Sequence, residues 1–232
     1  MHCITELPPW ERLLKKMAWA QMGGIHGKHV LDFGSGRGIT ACYLARCNSV
    51  VAVEPSSEML QDRWQDEPYT QLIGDVSRLA SMPDQSFDVV VCHNVLEYVD
   101  NKADIVAELC RVLKTGGMMS IIKHNRPGRV MQMAVLLDDV EKANRLLNGE
   151  DSTASQYGAI RYYEDEDIIR WAPALQLREC LGIRTFWDLQ QNQEKHGDEA
   201  WQSRMLELEM RISGMEPFKS IAFFHHLILT KR

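Results

Sequence analysis

The sequence predicts an α/β fold built on a mostly parallel sheet. Short apolar runs that end in acidic or polar side chains are predicted strands, namely His29–Phe33, Ser49–Glu54 and Asp88–His93. Helix-forming segments separate them, such as the one over Ile39–Cys47. Strands that alternate with helices pair in parallel and are covered on both faces, which explains why these runs are continuously apolar.

The other elements of the first half follow in order. A helix is predicted over Trp10–Met22, where apolar residues recur at helical spacing. Ser56 or Ser57 is expected to cap a short helix after the second strand. TQLIGDV is a strand followed by a turn. Met118–Lys123 is a strand that begins after a helix has ended at KTGG.

The second half departs from this alternation. Arg126–Pro173 is interpreted as an insertion that covers the carboxyl edge of the sheet, because it has a helical part at Val130–Leu147 and a polar, loop-like part at Asn148–Tyr157. The remaining predicted elements are a strand at Gln176–Cys180, a long polar helix over about Trp187–Ser213, and a final strand at Lys219–Thr230.

Composition limits the classes of function. The 232 residues include 26 basic and 32 acidic side chains, a net charge of −6, which argues against indiscriminate coating of nucleic acid but not against a local basic pocket. The six cysteines form no CxxC pair and are expected to be reduced. Because neither a signal pattern nor an apolar run of about 20 residues stands out, we expect a cytoplasmic protein that makes no membrane contact.

A glycine-rich turn follows the first predicted strand. Asp32 begins the pattern D-x-G-x-G-x-G, which continues with Gly34, Gly36 and Gly38. The nicotinamide fingerprint needs its third glycine at the position of Ile39, so the spacing does not fit that cofactor. A carboxylate at this turn would repel phosphate and attract a cation. S-adenosylmethionine (SAM) has an ammonium, a sulfonium and no phosphate, and it fits the pattern.

Two further acids end neighbouring predicted strands. Glu54 is placed to accept hydrogen bonds from the ribose hydroxyls of an adenosine, and Asp75 lies where an acid or its backbone would meet the adenine amino group. The competing interpretation is a structural turn with three solvated acids. Three acids at successive strand ends, in this order, favour SAM over that interpretation.

The segments VLDFGSGRG, VVAVEPS, GDV, FDVVVCHNVLEYV and ELCRVLKTGGMMSI together resemble the class I SAM-dependent methyltransferases, over about Val30–Ile122. The resemblance implies a Rossmann-like three-layer sandwich with a seven-stranded, mostly parallel sheet, one reversed strand near its end, and S-adenosylhomocysteine (SAH) as product. The implied cofactor-binding residues are Asp32, Gly34, Ser35, Gly36, Glu54, Pro55, Asp75, Val76 and His93.

Further motifs resemble the bacterial tRNA 5-carboxymethoxyuridine methyltransferase group, which esterifies the carboxylate of a modified wobble uridine. They are HNVLEYV, Gly182–Asp188, Leu206–Glu209 and EPF…HH. The resemblance implies that His93 contacts the cofactor. Two of the group's arginines align with Leu14 and Phe223 here, and basic residues are near only the first in the sequence.

The chain is accordingly divided into an N-terminal helical cap at 1–28, a SAM-binding core at 29–125, a helical lid at 126–174, and 175–232 completing the sheet. A polar cluster after the fifth strand is either an anionic-substrate subsite or a solvated loop, and comprises Lys123, His124, Asn125, Arg126 and Arg129. Asn125 is expected to orient a polar substrate group. Arg184 is either paired with Asp188 or bound to an anion, for which its planar fork is suited.

His225 and His226 are adjacent on a predicted strand and therefore face opposite sides, so they cannot chelate one metal together. As no other ligand cluster is visible in the sequence, no metal is predicted. His93 is interpreted as a cofactor contact rather than a general base.

The leading hypothesis is a SAM-dependent methyltransferase that acts on an anionic oxygen, for example a tRNA wobble carboxylate. The missing arginines favour a small-molecule acceptor as the alternative. An inactive SAM-binding partner subunit and a nicotinamide oxidoreductase are the weaker hypotheses. The protein is expected to be a monomer or a homodimer.

Overall fold

A computed structural model describes residues 2–154 and 158–232 and contains the predicted mixed sheet. Seven strands pair in the order β3-β2-β1-β4-β5-β9-β8. They are β1 His29–Phe33, β2 Ser49–Glu54, β3 Thr70–Ile73, β4 Phe87–His93, β5 Leu113–His124, β8 Leu175–Ile183 and β9 Phe224–Lys231, while β6 Ser152–Ala154 and β7 Gly158–Ile160 form a separate antiparallel pair. β9 runs antiparallel to both β5 and β8, so it is the reversed strand.

Helices cover both faces of the sheet, which confirms the three-layer architecture. The helices are α1 Pro9–Met22, α2 Ile39–Ala45, α3 Ser57–Gln61, α4 Lys102–Val112, α5 Arg126–Met131, α6 Val140–Leu147, α7 Asp165–Trp171 and α8 Glu199–Ile212. On one face α4 and α7 pack on the apolar side chains of β4 and β5. On the other, α1 packs with α8 against the ends of β5, β8 and β9, and α2 lies over β1 and β2.

The predicted strands His29–Phe33, Ser49–Glu54 and Asp88–His93 are confirmed to within a residue, because most positions of these apolar runs are buried. β5 begins five residues before the predicted Met118, and β8 continues three residues beyond the predicted Cys180. Ser56 is the cap of α3, and its hydroxyl accepts a hydrogen bond from the backbone N–H of Met59 at 3.2 Å. KTGG was wrongly expected to end a helix. It lies inside β5, where Gly116 has a φ of 76° that favours glycine, and a β-bulge shifts the register against β4.

Three predictions in the second half need correction. The helix expected over Val130–Leu147 is interrupted by a π-turn at Gln132–Leu136 and by Asp138, which has a φ of 50°. The long helix begins only at Glu199, after two 3₁₀ turns at 187–189 and 193–197. The last strand begins at Phe224, because 219–221 is another 3₁₀ turn.

The loop expected over Asn148–Tyr157 contains β6, and its last three residues lie outside the described chain. Among the described residues, no helix has the length and apolar character that crossing a membrane requires.

α5 approaches the sheet unusually closely. A Cβ atom on Gly128 would lie 2.0 Å from the carbonyl oxygen of Ala222, just before β9. The backbone N–H of Asn125 also donates to the carbonyl oxygen of Phe223 at 3.0 Å. These two contacts position the start of the 126–174 segment directly over the carboxyl end of β5.

Candidate functional site

The glycine-rich turn is tied to the end of β2 by its own backbone. The N–H groups of Gly34 and Ser35 both donate to the carbonyl oxygen of Val53, and the N–H of Gly36 donates to Glu54 Oε2 at 2.8 Å. A Cβ on Gly34, where φ is 73°, would lie 2.3 Å from Val95 Cγ2. Because these three N–H groups are already used, they do not form the open cradle of amides that binds phosphate.

Asp32 is 3% exposed near the end of β1, two residues before Gly34. Its Oδ2 atom is buried and has no hydrogen-bond partner among the described residues. Burial raises the pKa of Asp32 to about 6, against the attraction of the Lys15 ammonium. Lys15 Nζ itself donates to Thr40 Oγ1 at 3.1 Å. The unpartnered carboxylate oxygen is therefore suited to accept a hydrogen bond from a cationic ligand.

Two more buried polar atoms near Asp32 have no hydrogen-bond partner among the described residues. They are Ser35 Oγ, in the glycine turn, and Asn94 Oδ1, directly after β4. β1 and β4 are adjacent and parallel, so all three atoms belong to the same edge of the sheet. Buried polar groups without partners are rare, and a set of them at one edge fits a polar ligand such as SAM.

The predicted ribose and adenine residues differ in exposure. Glu54 is buried, and its second oxygen accepts a hydrogen bond from the N–H of Ser56 at 2.9 Å, so the carboxylate links the glycine turn to α3. Pro55 is exposed beside it. Asp75 is also exposed, and its carboxylate accepts from the N–H of Ser77, which lowers its pKa. Val76 is partly buried next to it. All four lie at the carboxyl ends of β2 and β3.

His93 is the last residue of β4 and is partly buried. Its Nε2 atom is hydrogen-bonded to Ser120 Oγ at 2.8 Å. Burial, together with the neighbouring His226, holds the pKa of His93 well below its usual range. The ring is therefore neutral at physiological pH.

Comparison with known proteins identifies the cofactor. Residues 31–121 match the model of the methyltransferase domain family, a segment that contains the whole edge just described. Over 214 residues the chain is 26% identical to the tRNA 5-carboxymethoxyuridine methyltransferase of Escherichia coli K12. The aligned segment covers 87% of this chain and 79% of that protein. The protein is a SAM-dependent methyltransferase.

Other relatives share the core or the fold. The methyltransferase is 34% identical to a ubiquinone biosynthesis O-methyltransferase of Klebsiella pneumoniae, but only over 49% of this chain and 50% of that protein. Its fold matches an S-adenosylmethionine-dependent methyltransferase from Mesorhizobium loti with a TM-score of 0.60, 14% identity, and coverage of 99% and 100%.

Arg184 lies at the turn after β8 of the methyltransferase and is 7% exposed. Its Nε and Nη2 atoms donate to both carboxylate oxygens of Asp188, at 2.7 and 2.6 Å. Its guanidinium also lies over aromatic rings, with Cζ 4.9 Å from the ring centroid of Phe223. Of the two roles that the sequence allowed, the structure therefore shows the pair with Asp188, while binding of an anion stays a prediction.

Asn125 is buried at the end of β5. Its amide nitrogen donates to the carbonyl oxygens of Ser220 and Ala222, at 3.0 and 2.8 Å. The side chain therefore holds the segment before β9, and only its Oδ1 atom is left to orient a substrate.

Within the polar cluster after β5, some side chains use their donors inside the protein, and one retains a donor that could bind a ligand. Lys123 is buried, and its ammonium pairs with Asp165 at 2.9 Å. Arg126 donates to the carbonyl oxygens of Leu146 and Glu150. Arg129 differs, since its Nη1 atom donates to Gln132 but its buried Nε atom has no partner among the described residues. Burial lowers the pKa of Arg129.

Arg129 also corrects the expectation that nothing basic lies near Phe223. Its Cζ atom is 5.7 Å from the Phe223 ring centroid, so Arg129 and Arg184 both lie over this ring. Sequence reasoning considered only neighbours along the chain, whereas these arginines come from α5 and from the turn after β8.

Sequence reasoning missed one further group at this edge. Glu97, in the 3₁₀ turn after β4, is 1% exposed, and burial raises its pKa to about 7. Its Oε1 atom lies 3.8 Å from His124 Nε2, which is also 3.1 Å from the Tyr98 hydroxyl. Glu97 Oε2 and His124 Nδ1 are buried without partners among the described residues. The sequence feature that could have indicated this group is the single acidic residue in VLEYV, which has apolar or aromatic residues on both sides.

The fold also assembles one group of possible metal ligands that was not visible along the sequence. Asp165, Cys180 and His225 bring ligand atoms within 4.8 Å of one another. Their hydrogen bonds describe an ion-pair cluster, because Asp165 pairs with the Lys123 ammonium and with His225 Nδ1 at 2.8 Å. Burial raises the pKa of Cys180 to about 12, so its thiol stays protonated. The prediction that the protein has no metal stays a prediction.

Proposed function

We propose that the protein transfers the methyl group of SAM to a carboxylate oxygen of an anionic acceptor. The observation that supports this most directly is Arg129, whose buried Nε–H has no acceptor among the described residues at the edge where Asp32 also lies. A guanidinium suits a carboxylate because its N–H groups form charge-assisted hydrogen bonds with a carboxylate oxygen. The neighbouring Arg184 guanidinium is paired with Asp188, so Arg129 is the arginine that offers an unused donor to the acceptor.

The reaction needs little from the protein beyond alignment. When bound, SAM supplies an electrophilic methyl carbon on a positively charged sulfur. Arg129 would hold one acceptor oxygen and leave the other facing that carbon. The new O–C bond forms as the C–S bond breaks, the electron pair goes to sulfur, and the products are a methyl ester and SAH. A carboxylate is already deprotonated, so it needs no general base.

We infer that the acceptor is the carboxylate of a modified tRNA wobble uridine. The similarity to the Escherichia coli enzyme covers 87% of the chain, whereas that to the Klebsiella pneumoniae enzyme covers 49%. The longer match therefore includes part of the 126–232 region that surrounds Arg129 and Arg184. A tRNA acceptor also agrees with the cytoplasmic location expected from the sequence.

The test uses SAM labelled in its methyl group and tRNA that contains 5-carboxymethoxyuridine. We expect label in tRNA that mild alkali releases as methanol, because an ester is hydrolysed while an ether or an N-methyl group is not. Arg129→Ala should raise the KM for tRNA by about 10- to 100-fold, the range for a lost charge-assisted hydrogen bond. Arg204→Ala, which removes an exposed arginine of α8, is the control.

The sequence-based assignments are tested in the same assay. Asn125→Ala and Arg184→Ala should both lower turnover, and unchanged turnover would remove that residue from the acceptor site. Label that enters tRNA but resists alkali would contradict ester formation. If only small molecules are labelled, the tRNA proposal is wrong.

Glu97 favours a second candidate, in which the acceptor is a hydroxyl group of a small molecule. A hydroxyl must lose its proton, and a carboxyl with a pKa of about 7 is matched to this task. Its unpartnered Oε2 atom is the one that would take the proton. Glu97→Gln would then abolish turnover, whereas transfer to a carboxylate would continue in that variant.

A further inference from the structure

A row of hydrogen bonds runs through the interior of the sheet from α1 to the carboxyl end of β4. Gln21 Oε1 lies 2.8 Å from His226 Nδ1, and His226 Nε2 lies 2.7 Å from Ser120 Oγ. Ser120 Oγ lies 2.8 Å from His93 Nε2. Ser120 and His226 are both 0% exposed, so water does not replace these contacts.

One backbone carbonyl fixes the direction of the whole row. The Gln21 side chain also contacts the carbonyl oxygen of Gly182 through Nε2, at 3.1 Å. A carbonyl oxygen can only accept a hydrogen bond, so the amide nitrogen must face Gly182 and Oε1 must face His226. Because Oε1 also only accepts, the proton of the neutral His226 ring resides on Nδ1.

The remaining protons follow from this one. His226 Nε2 has a lone pair, so the Ser120 hydroxyl donates to it. The Ser120 oxygen can then accept a hydrogen bond from His93, whose proton must reside on Nε2. Burial lowers the pKa of His226 to about 3 and that of His93 well below its usual value, so both rings are neutral at physiological pH.

With its proton on Nε2, the neutral His93 ring has an unprotonated Nδ1 atom, whose lone pair can accept a hydrogen bond. Among the described residues, this atom has no hydrogen-bond partner. His93 follows Val91 by two positions in β4, and Val91 is in register with Asp32 on β1. The lone pair therefore belongs to the edge where Asp32 is expected to bind the ammonium group of SAM.

We propose that Gln21, His226 and Ser120 are positioning residues that hold His93 as the Nε2–H tautomer, so that its Nδ1 atom accepts a hydrogen bond from the SAM ammonium group. The opposite tautomer would present an N–H donor to a cation. This inference rests on the cofactor site proposed for Asp32 and His93, but the tautomer itself is measured without cofactor.

The first test is long-range ¹H–¹⁵N correlation of ligand-free protein labelled at histidine nitrogen, which distinguishes the two tautomers of each ring. We expect His93 protonated at Nε2 and His226 protonated at Nδ1. His93 protonated at Nδ1 would overturn the proposal whether or not SAH binds. A wrong tautomer at His93 would therefore contradict the proposed hydrogen-bond row, whereas absence of SAH binding would contradict the proposed cofactor site.

The second test uses Gln21→Leu, a change on α1 that removes the fixed acceptor. We expect mixed tautomers at His93 and SAH affinity about two- to tenfold weaker in calorimetry, the range for one hydrogen bond. Ser120→Ala should act similarly, and Ser120→Thr should restore both readouts if it folds. The control is Gln202→Leu, which removes a glutamine that also bonds to a backbone carbonyl and to α1. An unchanged His93 tautomer in both Gln21→Leu and Ser120→Ala would overturn the proposal.

Discussion

Asp188 holds the guanidinium of Arg184 through two hydrogen bonds in a site where both side chains are less than 9% exposed. Gln132 donates to Asp188 Oδ1 at 2.9 Å and accepts from Arg129, so the two arginines over Phe223 are joined through one carboxylate. The geometry of the proposed acceptor site therefore depends on a residue that need not touch the substrate.

Asp188→Ala should destabilise the fold by about 3–5 kcal/mol, because it leaves the Arg184 guanidinium buried without a counter-charge. Urea unfolding measures this loss. The matched control is Asp100→Ala, which removes the exposed partner of Arg161 and should cost no more than about 1 kcal/mol. Equal losses in the two variants would show that burial of the Asp188 pair has no energetic consequence.

Glu97 should make the fold less stable as pH rises. Its pKa is raised to about 7 in the folded state, so between about pH 4.5 and 7 the native protein retains a proton that the unfolded chain has lost. Stability should fall across this window by about 3 kcal/mol, at about 1.4 kcal/mol per unit of pKa. Urea unfolding of wild type and Glu97→Gln at several pH values measures it, and parallel pH profiles would contradict the prediction.

Asp32 should make cofactor binding tighten with pH. Its pKa is about 6, and only the charged carboxylate attracts an ammonium group, so affinity is present above pH 6 and is lost below it. Calorimetry with SAH should give binding about tenfold weaker at pH 5 than at pH 7. In Asp32→Asn, binding should be weak and this pH dependence should disappear. If the variant matched wild type, Asp32 would not be the ammonium site.

Gly128→Ala should separate α5 from the segment before β9. The added Cβ would lie 2.0 Å from a backbone carbonyl oxygen, which cannot rotate away as a side chain would. We expect a loss of about 1–3 kcal/mol in unfolding free energy and lower turnover, because Arg129 moves with α5. Gly197→Ala, where an added Cβ has no atom within 4 Å, is the control.

The core of the fold could be predicted from the sequence because its signals are local. The strand ending at Asp32 and the glycine turn are specified by adjacent residues, and so is the strand ending at Glu54. The prediction that a helix begins at about residue 187 was wrong, because the helix begins at Glu199. The carboxylate of Glu209 accepts hydrogen bonds from three consecutive backbone N–H groups, at 185–187. That distant acceptor stabilises a turn where periodicity alone predicts a helix.

The proposed acceptor site could be predicted only in part for a related reason. The cluster after β5 was visible in the sequence, but which cations remain available was not. Lys123 is neutralised by Asp165, 42 positions later, whereas Arg129 retains an unpartnered Nε atom. Such pairings depend on how α5, α7 and β8 meet, which a pattern along the chain does not contain.

The position of β9 has a consequence for synthesis on the ribosome. β9 lies between β5 and β8 but is translated after both, so β8 has no partner in the sheet until β9 arrives. Until then, β5 presents an open edge of unpaired backbone groups, a known template for aggregation. Phe223 and His226 are translated together with β9, so a nascent chain can complete the glycine turn before either the proposed acceptor site or the interior hydrogen-bond row exists. A chaperone that shields the β5 edge would act in this interval.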